Sequence, residues 1–154
     1  MRSPDNKVRV IEGVRPDQIP FDELFQSNQP IILRGLVSDW GLVKAGNVSP
    51  ETAMDVLQSH NSGNPVGVYV APPESKARFF YNDDCSGFNY ASQHRELSDI
   101  FSQIRDNQNN PNHPYLYMNS LTLDNCFPGL RDHNDLAFDH PLFTHNKPLS
   151  KVWV

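Results

Sequence analysis

The stretch QPIILRGLVSDW, residues 29–40, decides the fold more than any other part of the sequence. Its three consecutive apolar residues lie between Pro30 and Gly35. A proline at the first position and a glycine just after the end are typical of a short, compact apolar strand. The pattern therefore predicts a β-strand over residues 30–35, followed by a turn that leads to Trp40.

Short strands and helices are predicted on both sides of this stretch. Helix starts are indicated at Ser49-Pro50-Glu51, which combines an N-cap hydroxyl, a proline at the first helical position and an acid in the first turn, and at Ser92. The 13 prolines break the chain too often for a helix bundle, so we predict an α+β fold. The predicted strands are 7–12, 30–35, 66–70, 77–81, 115–121 and 151–154, the predicted helices are 17–25, 50–60 and 94–105, and residues 124–148 are predicted to be irregular.

Length and charge exclude several classes of protein. The 154 residues fit one domain, which we assign to residues 1–154, and the net charge of −5 argues against nucleic-acid binding. The sequence has neither an apolar run long enough to span a membrane nor a secretory signal at its start. Two cysteines, Cys85 and Cys126, do not form a disulfide framework, so we predict reduced thiols and a cytoplasmic protein.

A cluster of acidic residues and histidines lies near the end of the chain, and it contains the H-x-D triplet His133-Asn134-Asp135. Two histidines and one carboxylate can hold Fe(II) and leave positions open for O₂ and a cosubstrate. This segment is polar and broken by prolines, however, whereas such ligands need rigid strands. We therefore predict a solvated loop with local pairing and no metal site. The cluster consists of Asp132, His133, Asp135, Asp139, His140 and His145.

The strand YLYMNSL, residues 115–121, has a more promising pattern. Because side chains alternate along a strand, Tyr115, Tyr117 and Asn119 point to one face. Two phenols and an amide could line a polar cavity that binds a carboxylate, since a phenol donates a hydrogen bond. The other interpretation is a half-buried strand whose tyrosine hydroxyls simply reach water.

Several segments together resemble the cupin-like JmjC proteins, which include the hydroxylases related to factor-inhibiting-HIF. Residues 30–40 match the family pattern P-[IV]-[IV]-L-R-G-x-x-x-x-W position for position. Tyr115–Met118 corresponds to a Y-L-x-x strand, and Phe127–Leu130 corresponds to an x-P-x-L turn. Lys151–Val154 is similar to the W-[IVF]-G strand that enters the barrel, but lacks its glycine. By this resemblance Trp40 and Arg34 would have structural roles, Trp40 as a ring over the core and Arg34 as a charge at the end of the strand.

This resemblance implies a double-stranded β-helix (jelly-roll) oxygenase that uses Fe(II) and 2-oxoglutarate and hydroxylates a protein or peptide side chain. The family's H-x-D iron motif follows the tryptophan strand, so we expect residues 1–154 to be the N-terminal part of the domain, with an incomplete barrel. We expect no catalytic residue and no metal ligand in this chain, which alone would be inactive and would bind neither cofactor with useful affinity. By position, Tyr115 or Tyr117 would contact the 2-oxoglutarate carboxylate, and Trp153 would lie beside the same pocket.

Two other functions stay open at this stage. The chain could belong to a non-catalytic cupin-like protein that uses the scaffold for binding or assembly. It could also be a small metalloprotein that uses the 132–145 cluster. A homodimer is compatible with the resemblance, and nothing in the sequence identifies the substrate.

Overall fold

The computed structural model describes residues 7–136, 140–144 and 149–154. These residues form seven short strands, six α-helices and three 3₁₀ turns. The strands are β1 (Arg9–Glu12), β2 (Ile31–Arg34), β3 (Val66–Ala71), β4 (Ala91–Arg95), β5 (Tyr115–Tyr117), β6 (Leu121–Thr122) and β7 (Lys151–Val152). The helices are α1 (Phe21–Ser27), α2 (Gly41–Val48), α3 (Pro50–Ser59), α4 (Leu97–Asn107), α5 (Leu123–Cys126) and α6 (Pro141–Thr144), and the 3₁₀ turns are Pro16–Gln18, Pro73–Ser75 and Leu130–His133.

The strands form three separate sheets, and in the part of the chain that the structure describes they do not close into a barrel. β1 and β2 pair in parallel, β3 lies between β4 and β5 in an antiparallel sheet, and β6 pairs with β7. The mixture of helices and strands agrees with the predicted α+β class. Within the same described ranges, no helix is both long and apolar enough to cross a membrane.

The hydrophobic core lies between one face of the β3 sheet and helices α3 and α4. On β3, Val66 and Val68 point into this core because side chains alternate along a strand. Helix α4 contributes Leu97, Ile100 and Phe101, which are fully buried and recur at helical spacing, as the sequence predicts. The core therefore occupies one side of the β3 sheet and leaves the opposite side free for other contacts.

Helix α3 begins as predicted. Ser49 accepts a hydrogen bond from the backbone N–H of Thr52 (3.1 Å), and Pro50 occupies the first turn. This cap satisfies one of the helix's unpaired N–H groups, so the local sequence is sufficient to fix where the helix starts.

Helix α2, which the sequence analysis missed, is capped from a distant part of the chain. Its own N-cap residue, Trp40, provides no side-chain acceptor. Instead the Asn134 Oδ1 atom accepts a hydrogen bond from the Leu42 N–H (2.7 Å), and the Asn134 Nδ2 atom donates to the Leu130 carbonyl (2.8 Å). Asn134 is only 6% exposed, so this amide joins the start of α2 to the Leu130–His133 turn inside the protein.

Two predictions in the middle of the chain are wrong. Residues 77–81 do not form a strand: Lys76 and Ala77 have positive φ angles, and Tyr81 makes only an isolated bridge to Phe88. Ser92 does not cap a helix, because it lies within β4 and α4 begins at Leu97. Strand β4 was missed since its sequence, ASQHR, has no apolar alternation, as expected for an exposed edge strand.

The segment predicted to be irregular contains more regular secondary structure than expected. Within residues 124–148 the structure has most of α5, the Leu130–His133 turn and α6. The predicted strand 115–121 is divided into β5 and β6 by a break at 118–120, and the predicted strand 151–154 is regular only over β7.

The two cysteines differ in environment, which predicts different reactivity. Cys85 is exposed, whereas burial raises the pKa of the Cys126 thiol. Because the thiolate is the reactive form, at pH 8 we expect Cys85 to react with a thiol reagent at least roughly tenfold faster than Cys126. Mass spectrometry of tryptic peptides after timed alkylation measures both rates, and equal rates in the folded chain would contradict this expectation.

Candidate functional site

The side of the β3 sheet that faces away from the core carries a group of aromatic rings, which we call the aromatic face: Tyr69, Phe79, Tyr81, Phe88, Tyr90 and Tyr117. Tyr69 on β3 lies directly opposite Tyr117 on β5, so their side chains share this face. Their ring centroids are 6.3 Å apart, and Phe79 lies 5.4 Å from Tyr117. Three further rings stack beside Tyr69, with centroid separations of 4.6 Å for Tyr69–Tyr90, 5.0 Å for Tyr90–Phe88 and 5.2 Å for Phe88–Tyr81.

A β-bulge sits at the edge of the aromatic face. Met118 and Val154 exchange two backbone hydrogen bonds (2.8 and 3.1 Å), and the next pair along the ladder is Leu121 with Val152. Asn119 and Ser120 therefore stand opposite a single residue, Trp153. Ser120 has a φ angle of 58°, a backbone conformation that residues other than glycine rarely adopt. Bulges of this kind redirect side chains, and they occur often beside functional sites.

The bulge brings three side chains into one hydrogen-bonded chain. The Trp153 indole Nε1–H donates to the Asn119 Oδ1 atom (2.9 Å), and the Asn119 Nδ2 atom donates to the Tyr69 hydroxyl (3.3 Å). The Lys151 ammonium group donates to the Ser120 hydroxyl (2.9 Å). Residues 151 and 153 alternate along one strand, so the lysine and the indole lie on the same side.

The structure brings together two of the three predicted site residues. Tyr117 lies within the aromatic face. Trp153 is linked to the same face because its indole donates to Asn119, which in turn donates to Tyr69. Strand alternation had already predicted that Asn119 and Tyr117 share a face. Tyr115 instead lines a separate cleft of about 850 Å³ between the end of α4 and the start of β5. The sequence analysis missed Tyr69, although the pattern contains it. In the predicted strand VGVYV, alternation points Tyr69 to the face opposite that of Val68.

The acidic and histidine cluster separates into unrelated contacts. Asp135 accepts a hydrogen bond from Arg131 Nε (2.8 Å), and that arginine also contacts Asp124 (3.2 Å). His140 lies 3.7 Å from Asp22 on α1. Asp139 and His145 lie outside the described residues. Across the ranges that are described, no three or more His, Cys, Asp or Glu side chains are placed to hold a metal ion.

A family model for the cupin-like domain matches residues 16–154. The chain belongs to the cupin-like domain family. Searches of curated proteins and of solved structures found no match to this cupin-like chain. Membership agrees with the mixed helices and strands of the described residues. It also confirms the broader part of the resemblance drawn from residues 30–40.

Proposed function

We propose that this chain is the N-terminal part of a JmjC-type cupin-like oxygenase, related to the factor-inhibiting-HIF hydroxylases, that hydroxylates a protein side chain. The observation that carries the proposal is the hydrogen-bonded chain from Trp153 through Asn119 to Tyr69, which places these side chains beside the Tyr117 ring in a cupin-like chain. In a jelly-roll the aromatic face would line the barrel interior. The open sheet supports this view, since among the described residues β4 and β5 are the edge strands of the three-stranded sheet.

The aromatic face suits a 2-oxoglutarate carboxylate. The phenol groups there are hydrogen-bond donors, and the surrounding rings, with the Trp153 indole that already donates to Asn119, would exclude water from a bound anion. We propose that Tyr117 and Trp153 bind or border the cosubstrate in this way. Tyr117 contacts the rings of Tyr69 and Phe79, whereas among the described residues Tyr115 makes no ring contact with the aromatic face, so the geometry favours Tyr117 of the two tyrosines.

The described residues do not fit an iron site. Asp135 is engaged by Arg131, and His133 is an exposed residue on a 3₁₀ turn without other ligands around it. The proposal therefore assigns the iron ligands to residues outside the described ranges, and the chain alone is proposed to be inactive. Its own contribution is to orient and shield the cosubstrate.

A second candidate is a non-catalytic cupin-like binding protein. The exposure of Phe88 on the aromatic face and of Trp153 beside it favours this candidate, because exposed apolar side chains that lie together mark surfaces that bind proteins. In that case the aromatic face would bind a protein segment or a second copy of the chain rather than a cosubstrate.

The two candidates predict different reactions of the natural protein that carries this chain. For the oxygenase, adding Fe(II), O₂ and 2-oxoglutarate should give succinate, and Tyr117→Phe should reduce succinate formation by roughly tenfold through the loss of one hydrogen bond to a charged group. Tyr115→Phe is the matched control and should change the rate by less than about twofold. If the natural protein, loaded with Fe(II), forms no succinate above background, the oxygenase proposal is wrong and the binding protein is favoured.

A further inference from the structure

The cleft that Tyr115 lines is separate from the aromatic face and has no role in the proposed function. It has a volume of about 850 Å³ and lies where the end of α4 meets the start of α3 and of β5. Its apolar part consists of Met54, Ile104 and Leu116, which belong to the hydrophobic core or pack against it. A cleft of this size holds a small-molecule ligand. The rest of the lining includes five side-chain amides, those of Gln103, Asn107, Gln108, Asn109 and Asn110.

Neighbouring acceptors hold the NH₂ groups of the two glutamines. The His113 Nδ1 atom faces the Pro114 carbonyl oxygen (3.2 Å), which can only accept, so Nδ1 carries the ring proton. In a neutral imidazole Nε2 is then an acceptor, and the Gln103 NH₂ group donates to it (3.4 Å). The Gln108 NH₂ group donates to the Glu51 carboxylate (2.5 Å).

Two asparagines of the lining are engaged in the same way. The Asn110 NH₂ group donates to the Asn107 Oδ1 atom (3.3 Å), and the Asn107 NH₂ group donates to the Gln103 backbone carbonyl (2.9 Å). In the part of the chain that the structure describes, the side-chain oxygens of Gln103 and Gln108 accept no hydrogen bond. These two oxygens make the cleft a site for a ligand that donates hydrogen bonds.

The charges around the cleft favour a cationic donor over a neutral one. Helix α4 ends here at Asn107, and the last carbonyls of a helix carry a partial negative charge. Glu51, in the first turn of α3, offsets the positive end of that helix and polarises the Gln108 amide through its hydrogen bond. Among the described residues no lysine or arginine lines the cleft, and Arg105 in the last turn of α4 is held by Asp55 (2.5 Å).

We infer that this cleft binds an aliphatic ammonium ion, with the side-chain oxygens of Gln103 and Gln108 as its acceptors. An ammonium group has three donors and no acceptor, so it complements two amide oxygens whose own NH₂ groups are engaged. The methylene groups of the ligand would cover the apolar part of the cleft. His113 is a positioning residue, because it holds the Gln103 NH₂ group and so turns the amide oxygen away from itself.

The test uses the full chain at pH 8 and n-butylammonium as the probe. For a ligand of this size we expect a dissociation constant on the order of 10 mM, which NMR titration of ¹⁵N-labelled chain measures. The backbone amide signals of Gln108 and Leu116 should shift with n-butylammonium. The neutral analogue n-butanol and the anion butyrate should leave both signals in place, and equal shifts with n-butanol would overturn the inference.

Two substitutions at Gln103 should act in opposite directions. Gln103→Met removes the acceptor at nearly constant length and should weaken n-butylammonium binding by roughly tenfold. Gln103→Glu replaces the amide oxygen with a charged acceptor and should strengthen binding several-fold. Gln93→Met, at an exposed site on β4, is the matched control and should bind as the unmodified chain does. Because general damage to the fold cannot tighten binding, equal losses in both Gln103 variants would contradict the site.

A double-mutant cycle tests the positioning role of His113. His113→Phe should weaken binding several-fold in the unmodified chain and cause no further loss in Gln103→Met, since His113 acts through the Gln103 amide. Independent, additive losses would show that His113 does not position Gln103.

Two larger probes distinguish the sources of the ammonium group. Cadaverine represents a free amine, and N-acetyl-lysine N-methylamide represents a lysine side chain of a protein. The tighter of the two identifies the source, and failure of both to bind at least as tightly as n-butylammonium would overturn the inference.

The inference does not depend on the oxygenase proposal, because the residues that carry it are not part of the aromatic face. Succinate formation without n-butylammonium binding would refute the ammonium site alone. Binding without succinate formation would refute the oxygenase alone.

Discussion

Replacing Phe101 with alanine is expected to lower the free energy of unfolding by about 3–5 kcal/mol. The Phe101 side chain on α4 is fully buried in the cluster that includes Val68 and Leu97, so its removal loses buried apolar area and leaves a cavity. Small domains are stable by only about 5–15 kcal/mol, so the variant should be partly unfolded at moderate urea concentrations. Urea denaturation followed by far-ultraviolet circular dichroism measures the change.

The matched control for Phe101 is Phe80, a ring of the same size that is 66% exposed. Phe80→Ala should cost less than about 1 kcal/mol, because surface substitutions seldom cost more. If both variants unfold at the same urea concentration, then helix α4 does not pack on the β3 sheet as described.

Replacing Asn134 with alanine is expected to lower the free energy of unfolding by about 2–4 kcal/mol, which is a large effect for one uncharged side chain. The variant loses the cap of α2 and leaves the Leu42 N–H and the Leu130 carbonyl without their partner. Loss of a cap typically costs about 1 kcal/mol, and an unpaired buried polar group costs about 1–3 kcal/mol more. Urea denaturation gives the total, and amide hydrogen exchange at Leu42 reports the cap directly.

Two controls test whether the Asn134 effect arises from these hydrogen bonds. Asn134→Asp keeps an acceptor for the Leu42 N–H but sets a buried carboxylate oxygen against the Leu130 carbonyl, so Leu42 exchange should stay slow even though the free energy of unfolding falls. Asn47→Ala, at an exposed site on the same helix, should change stability by less than about 0.5 kcal/mol. Equal exchange rates at Leu42 in the unmodified chain and Asn134→Ala would contradict the capping role.

The sequence was sufficient wherever the local pattern and the burial agree. β2, β3, α3 and α4 were predicted because their apolar residues recur at the strand or helix period, or because a cap such as Ser49 marks the start. Of these elements, β3, α3 and α4 supply more than half of the core cluster, whereas β2 pairs only with β1 and leaves Ile32 46% exposed. The α+β class follows from the four together.

The missed elements depend on partners far away in the chain. Helix α2 contains two glycines and has no local cap, and it forms where Asn134 supplies the missing acceptor. β4 has no apolar alternation because it is an edge strand paired to β3. The predicted strand 77–81 has strong β-forming side chains, but those aromatic rings pack on one another instead of continuing a ladder.

The candidate site was predicted only in part, because only some of its contacts arise from a local pattern. Alternation along one strand placed Tyr117 and Asn119 together, because that pattern is local. The connection to Trp153 requires a one-residue bulge, and the connection to Tyr69 requires the β3–β5 register. Neither can be read from spacing, since both are properties of paired strands.

The hydrogen bond between Leu42 and Asn134 spans 92 positions of the chain, and this separation has a consequence for biosynthesis. Helix α2 has eight residues, too few to persist by itself in water. At ordinary translation speeds, on the order of ten seconds pass between the emergence of these two residues from the ribosome. During that interval the nascent segment stays without its cap, so the start of α2 is a point at which a chaperone or a protease would meet an unprotected backbone.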